Sequence, residues 1–171
     1  MQCGTEKYFE VPVEADISET VLAMHDKGIT EDVQARVNFF TGDACEIKSM
    51  HQAGKLQTYD GVIMSNLLCR LPRPASCLNG LSTVVKPGGV VVMVTLFSWL
   101  EEFTARSQWL GGFADPVTKD PINSYDTMAC IMNDNGFVQI HTEEMPLIIR
   151  EHQRKYQYIV SQATGWRRKQ D

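Results

Sequence analysis

Residues 90–96 read Val-Val-Val-Met-Val-Thr-Leu, a near-continuous apolar run rich in β-branched side chains. A run of that kind suits a strand covered on both faces, and so an inner strand of a sheet. Ahead of it, Leu78, Leu81, Val84 and Val85 form one apolar stripe at helical spacing, with Pro74 suited to the first turn. Lys86-Pro87-Gly88-Gly89 then ends the helix. Further upstream, Val62-Ile63-Met64 reads as a strand that runs out at Ser65-Asn66. Strand, helix and strand in this order predict parallel neighbours, because parallel strands need a crossover connection.

The flanks extend this α/β pattern. Tyr8 to Val13 is extended, and Pro12 restricts it to an edge or an irregular segment. Asp16 and Glu19 match a capping box, and Ile17, Val21 and Met24 recur at helical spacing up to Gly28, which predicts an amphipathic helix. Val37-Asn38-Phe39-Phe40 is a short strand candidate leading into Thr41-Gly42-Asp43. Near the other end, a helix is expected from Tyr125 to Asn133, with Ser124 as cap and Asn135-Gly136 as terminator. Phe137 to His141 and Tyr156 to Thr164 are strands joined by a long connection without a helical stripe, so the two can pair antiparallel. Trp99-Leu100-Glu101-Glu102-Phe103 and Trp109-Leu110-Gly111-Gly112-Phe113 share a frame, too short an echo to mean duplication.

At 171 residues the chain suits one domain. No apolar stretch reaches the roughly 20 residues of a membrane helix, and the start lacks the apolar core of a secretion signal. Its formal charge of −5, with scattered Lys and Arg, argues against a nucleic-acid backbone as partner. Five cysteines, Cys3, Cys45, Cys69, Cys77 and Cys130, show no two-residue-gap pairing and read as reduced thiols of a cytoplasmic protein. The four histidines are dispersed, so no metal site is expected.

Ligands of open parallel sheets bind beyond the carboxyl ends of the strands. This rule puts Asp43 and Asn66 on one rim, with the loop that opens Phe97-Ser98-Trp99 above it. In Gly42-Asp43-Ala44 the carboxylate can meet an exocyclic amine such as that of adenine, although Gly-Asp is equally apt for a simple turn. In Ser65-Asn66-Leu67-Leu68 the amide can meet an amino acid moiety, or simply end a strand.

The order of these motifs, followed by a terminal antiparallel pair, resembles a class I S-adenosylmethionine-dependent methyltransferase. A closer resemblance lies in Thr95 to Thr104, Trp109 to Phe113, Ile149 to Lys155, Gly42-Asp43-Ala44-Cys45 and Asn66 to Pro72. These segments are similar to the C-terminal methyltransferase domain of ovothiol synthases, over about Tyr8 to Arg168. In that family an iron-dependent sulfoxide synthase portion is joined to a methyltransferase that acts on an imidazole nitrogen of a mercaptohistidine.

The resemblance implies S-adenosylmethionine as cofactor and a small histidine-derived thiol as acceptor. It implies Asp43 and Ala44 beside adenine, and Asn66 and Leu67 near the methionine part. Glu101, Glu102 and His152 become candidates for the base that keeps the imidazole neutral. Arg150 would grip the acceptor's carboxylate through two parallel hydrogen bonds, or else pair with Glu151 or Glu144. Trp99 and Trp109 would wall the acceptor ring, while Phe103 and Phe113 are expected to pack in the core.

One departure stands out: the sequence carries no Gly-x-Gly turn of the type with which class I domains begin. The expected fold is therefore a partial Rossmann-like α/β sheet, mostly parallel with a C-terminal antiparallel pair, lacking the first β-α-β unit. Its parts are an extended segment over 1–14, a cofactor-side β/α part over 15–96, an acceptor-side loop over 97–123, and a helix with antiparallel strands over 124–168. The edge near Ile63 would then lose its neighbours, so Tyr8 to Val13, a second chain or upstream sequence is expected to cover it. A non-catalytic remnant or interaction module of the same fold is the alternative reading. A nicotinamide-dependent dehydrogenase fragment suits the sheet but not the terminal antiparallel pair.

Overall fold

A computed structural model describes residues 8–22 and 31–170. The chain divides into two compact units, one of Met1–Thr41 with Leu147–Ile159 and one of Gly42–Pro146 with Val160–Asp171.

In the smaller unit, β1 (Tyr8–Glu14) pairs antiparallel with β2 (Ile17–Leu22). The helix expected to start at Asp16 does not form: Ile17–Leu22 is a strand, while Met24 and Gly28 lie outside the described residues. Ala15, at φ 46°, and Asp16 make a two-residue turn that sets Glu14 opposite Ile17. Asp16 thus serves a hairpin turn, and the β-branched Ile17, Thr20 and Val21 favour the extended form. The short helix α1 (Glu31–Ala35) follows. The strand expected at Val37 to Phe40 is also absent: the segment is irregular, with Phe39 92% exposed. A parallel strand needs a hydrogen-bonded neighbour, and the described sheet offers it none.

In the larger unit a 3-10 turn at Ala44–Glu46 leads into α2 (Ile47–Gln52). Then come β3 (Tyr59–Ser65), α3 (Pro74–Val84) and β4 (Val85–Thr95). β3 and β4 run parallel, with Gly61 to Ser65 opposite Val90 to Val94. α3 takes Pro74 in its first turn, where the missing N–H has no helical partner to lose. It buries Cys77, Leu78, Leu81 and Val84 on one face and stops where Val85 becomes extended. The Lys86 to Gly89 segment is drawn into β4 as an irregular stretch, its Lys86 clasping Asp60 at 2.8 Å. That ion pair holds the Asp60 carboxyl below its ordinary range.

After the small hairpin of β5 (Phe113–Ala114) and β6 (Pro121–Ile122), α4 (Ser124–Asp134) packs on α3. Asn123, not Ser124, is the capping residue, and Gly136 at φ 81° turns the chain away. β7 (Phe137–His152) and β8 (Lys155–Arg168) are longer than their sequence patterns, and Gln153-Arg154 alone joins them. So short a turn fixes them antiparallel, without the long connection expected. β8 also pairs antiparallel with β4, giving the order β3-β4-β8-β7.

The α/β class with a parallel pair and an antiparallel return matches expectation, and β4 is an inner strand. Its cover differs. Val91 and Met93 are buried in one core with residues of α3 and α4, and Thr95 is buried too, whereas Val92 is 37% exposed on the other face. Beside Val92 in the ladder, Ile63 is 77% exposed. β3 has no outer neighbour among the described residues; the Tyr8 to Val13 segment pairs with β2 and not with it. Among the described residues no helix is long and apolar enough to cross a membrane.

The core of the larger unit joins Leu78 and Leu81 to Met128, Met132, Phe137 and Trp166. Replacing the fully buried Leu81 by Ala removes methylenes and leaves a cavity, so Leu81→Ala should cost about 2–5 kcal/mol. Urea denaturation followed by tryptophan fluorescence reads this as a lowered midpoint at unchanged slope.

Candidate functional site

Because β3 and β4 are parallel, their carboxyl ends open on the same side. Just past these ends lie Asn66 at φ 48° and Phe97 at φ 49°. Asn tolerates this left-handed conformation, whereas for Phe it is an outlier that costs about 1–3 kcal/mol and persists only where the surroundings impose it. The Asn66 N–H donates to the Val94 carbonyl at 2.8 Å, and the Phe97 N–H donates to the Thr95 hydroxyl at 3.3 Å. From β8, the buried Ser161 hydroxyl donates to Asn66 Oδ1 at 3.3 Å. The Asn66 Nδ2 has no partner among the described residues, which leaves two donors free. Leu67, next in line, is 37% exposed.

Asp43 is exposed and caps the 3-10 turn, its Oδ1 accepting from the Cys45 N–H at 2.8 Å. Ala44 packs against the core. The turn is tied to the entrance of α3, where Arg73 donates to Glu46 at 2.6 Å. This places Asp43 beside the first turn of α3, which the chain enters shortly after Asn66. The Cys77 thiol, in that first turn, is pushed up to about 12, first by burial and then by Cys45 and Asp43. A thiol so raised stays protonated at neutral pH and offers no nucleophile.

The loop after β4 is held by its polar groups. Trp99 is buried and its indole N–H donates to Ser124 Oγ at 2.8 Å. Trp109 donates to the Thr104 carbonyl at 2.8 Å, and Thr104 in turn donates to the Leu71 carbonyl at 2.7 Å. Neither Phe113 nor Phe103 joins the core as expected: Phe113 is half-buried outside the core cluster, and Phe103 is 42% exposed, with the Arg70 guanidinium 5.0 Å above its ring. Glu101 and Glu102 are exposed in the turn beyond Trp99. Arg150 and His152 belong to the smaller unit. There Arg150 pairs with Glu19 at 3.4 Å, a partner other than the expected Glu151 or Glu144, and its Nε is buried without a hydrogen bond. His152 Nδ1 accepts from the Arg154 N–H at 3.2 Å. Hydrogen bonds from Lys155 and then Gln157 keep the neighbouring Glu151 carboxyl below its usual range.

A cavity of about 400 Å³ opens beside Phe97, lined also by Gly112, Asn123, Ser124, Tyr125, Asp126 and Gln162. Of these the sequence pattern marked Ser124 and Tyr125, as the cap and start of a helix, and the Phe97 and Gly112 segments; it gave Asn123, Asp126 and Gln162 no functional role. Gln162 arrives through the antiparallel return of β8, opposite Thr95. Asp126 is one turn into α4, its Oδ2 accepting from Asn123 Nδ2 at 3.2 Å. Tyr125 is braced by its hydroxyl, which bonds Gln139 at 2.6 Å. Among the described residues no cluster of His, Cys, Asp or Glu could hold a metal ion.

The cavity's wall depends on Gly111. A Cβ there would stand 2.4 Å from the Ser124 nitrogen and 2.5 Å from the Asn123 carbonyl carbon, both backbone. Gly111→Ala must therefore push the start of α4 aside, at about 1–3 kcal/mol. Thermal unfolding should read the lower stability, and the Trp99 indole N–H resonance should move as its bond to Ser124 lengthens. An unshifted resonance in a fully stable variant would contradict this geometry.

A family described as a methyltransferase domain matches residues 3–93, more than half of the chain. No curated protein matches. Among solved structures, an S-adenosylmethionine-dependent methyltransferase of Methanosarcina mazei aligns at 15% identity with a TM-score of 0.51, covering 78% of this chain and 68% of its own. A structure described under the conversion of a disulfide bond into a thioacetal group during echinomycin biosynthesis aligns at 16% identity and TM-score 0.50. It covers 81% of this chain, which spans only 58% of it. At such identities the likeness is one of fold. The strand order, the rim beyond β3 and β4 and the matched residues agree: the chain belongs to the methyltransferase domain family of class I, with S-adenosyl-L-methionine as cofactor.

Proposed function

We propose that the chain catalyses methyl transfer from S-adenosylmethionine to an imidazole nitrogen of a mercaptohistidine-type acceptor. The observation that carries this reading is the rim where Asn66 leaves its amide donors free beyond a parallel strand pair. The acceptor comes from the sequence resemblance alone.

The residues suit such a cofactor. The exposed Asp43 carboxylate can accept from an adenine amine, with Ala44 beside the base. The free Asn66 amide can donate to the carboxylate of the methionine part, over Leu67. Bound there, the cofactor supplies an electrophilic methyl group on a sulfonium, and no covalent enzyme intermediate is needed. The protein's share is alignment and exclusion of water. In this reading the Trp99 and Trp109 loop shields the acceptor ring. Glu101, Glu102 or His152 holds the proton whose removal leaves the ring nitrogen its lone pair.

A second reading, a non-catalytic module of the same fold, draws on two observations. Phe39 and Phe40 are exposed in a segment without strand structure, and the sequence has no Gly-x-Gly turn. The exposed Ile63 and Val92 support further polypeptide over this sheet, from upstream sequence or a second chain.

Calorimetric titration with S-adenosylmethionine separates the readings. Catalysis by this chain predicts saturable heat, weakened roughly tenfold in Asn66→Ala by loss of a hydrogen bond to a charged group. No heat at millimolar cofactor would overturn it in favour of the module. Light scattering on the same sample distinguishes a lone chain of 19.3 kDa from an associated pair.

A further inference from the structure

We infer that the cavity beside Phe97 is a binding site for a small ring compound carrying an ammonium group, with Asp126 as the residue that selects the ammonium; it rests on the reading of the acceptor as derived from an amino acid. The cavity's charge is the first support. Of its seven lining residues Asp126 is the one acidic side chain and none is basic, so the lining is formally negative. A ligand with a cationic group is favoured there, and an anionic one is repelled.

The free valences are the second support. Asn123 Nδ2 engages Asp126 Oδ2 alone, which leaves Oδ1 to accept from an ammonium. Gln162 is half-buried and its amide has no partner among the described residues, so it offers both a donor and an acceptor to a ring nitrogen. Phe97 gives an apolar wall, held off its ordinary backbone conformation at φ 49°. The volume is the third support: about 400 Å³ lies within the range of small-molecule sites and suits a single heterocycle with its side chain.

The wall is rigid for a stated reason. Trp99 donates to Ser124, which fixes the loop after β4 against α4, and Tyr125 is tied to β7. Trp99 is then a positioning residue, acting on the site through Ser124. Asp126 and Gln162 read the ligand, which is one kind of role the sequence pattern did not give them.

Amide-resolved NMR titration of the chain without cofactor tests this, with L-histidine, histamine and 3-(imidazol-4-yl)propanoate as probes. The inference predicts that L-histidine and histamine shift the amides of Phe97, Gly112 and Tyr125, and that the propanoate, which lacks the ammonium, does not. Asp126 is exposed, so Asp126→Asn should weaken L-histidine by roughly two- to fivefold, the loss of one solvent-screened ion pair. Equal shifts from all three probes on the wild-type chain would overturn the selection of an ammonium, and this comparison needs no variant to fold. Shifts confined to other parts of the chain, or none, would overturn the site. Since no cofactor is present, a failure here is distinct from a failure to bind S-adenosylmethionine.

Discussion

The parallel ladder between β3 and β4 is the constraint on which the site depends. Parallel neighbours force the chain over one face of the sheet, and α3 makes that crossing with Cys77, Leu78, Leu81 and Val84 turned inward. The same ladder brings both carboxyl ends to one side. Asn66 and Phe97 are consequences of it, each the point at which a strand must turn sharply away. An antiparallel pairing would have sent the two ends to opposite sides, and no shared rim would exist.

β8 completes the arrangement. By running antiparallel to β4 it delivers Ser161 to Asn66 and Gln162 to the cavity beside Phe97, from a part of the chain about a hundred residues beyond Asn66. Polar groups at this end are engaged rather than merely exposed: Trp99 with Ser124, Thr104 with Leu71, Thr164 with Met93. Buried hydrogen bonds of this kind are expensive to leave unmade, so they fix one geometry for the loop.

Much of this was legible in the residues. The stripe of α3 and the β-branched run of β4 are strong periodic signals, and the rule for parallel sheets then put Asp43 and Asn66 on one rim with the Phe97 loop above it; Asn66 and Phe97 do lie just past β3 and β4, whereas the strand expected to lead into Asp43 does not form. The cover of β4 was not legible, because Val90 to Val94 is apolar on both faces while the described structure buries only one. Apolar content records what a strand can bury and does not record whether a neighbour is present. Asp16 and Glu19 misled because a carboxylate three residues from another fits a capping box and equally a turn followed by a strand, and the β-branched residues decided it. Asp126 and Gln162 gave no signal: each is an ordinary polar residue on its own element, and only the return of β8 beside β4 joins them. The assignment of Arg150 and His152 remained a matter of resemblance, since their contacts lie in the smaller unit.

Hydrogen exchange read by mass spectrometry, with and without S-adenosylmethionine, tests most directly whether the ends of the two parallel strands form the ligand rim. The account predicts added protection in peptides spanning Gly42 to Cys45, Asn66 to Leu68 and Thr95 to Ser98, with β1 and β2 unchanged. Protection gained in the β1–β2 hairpin while those three segments exchange as before would contradict it.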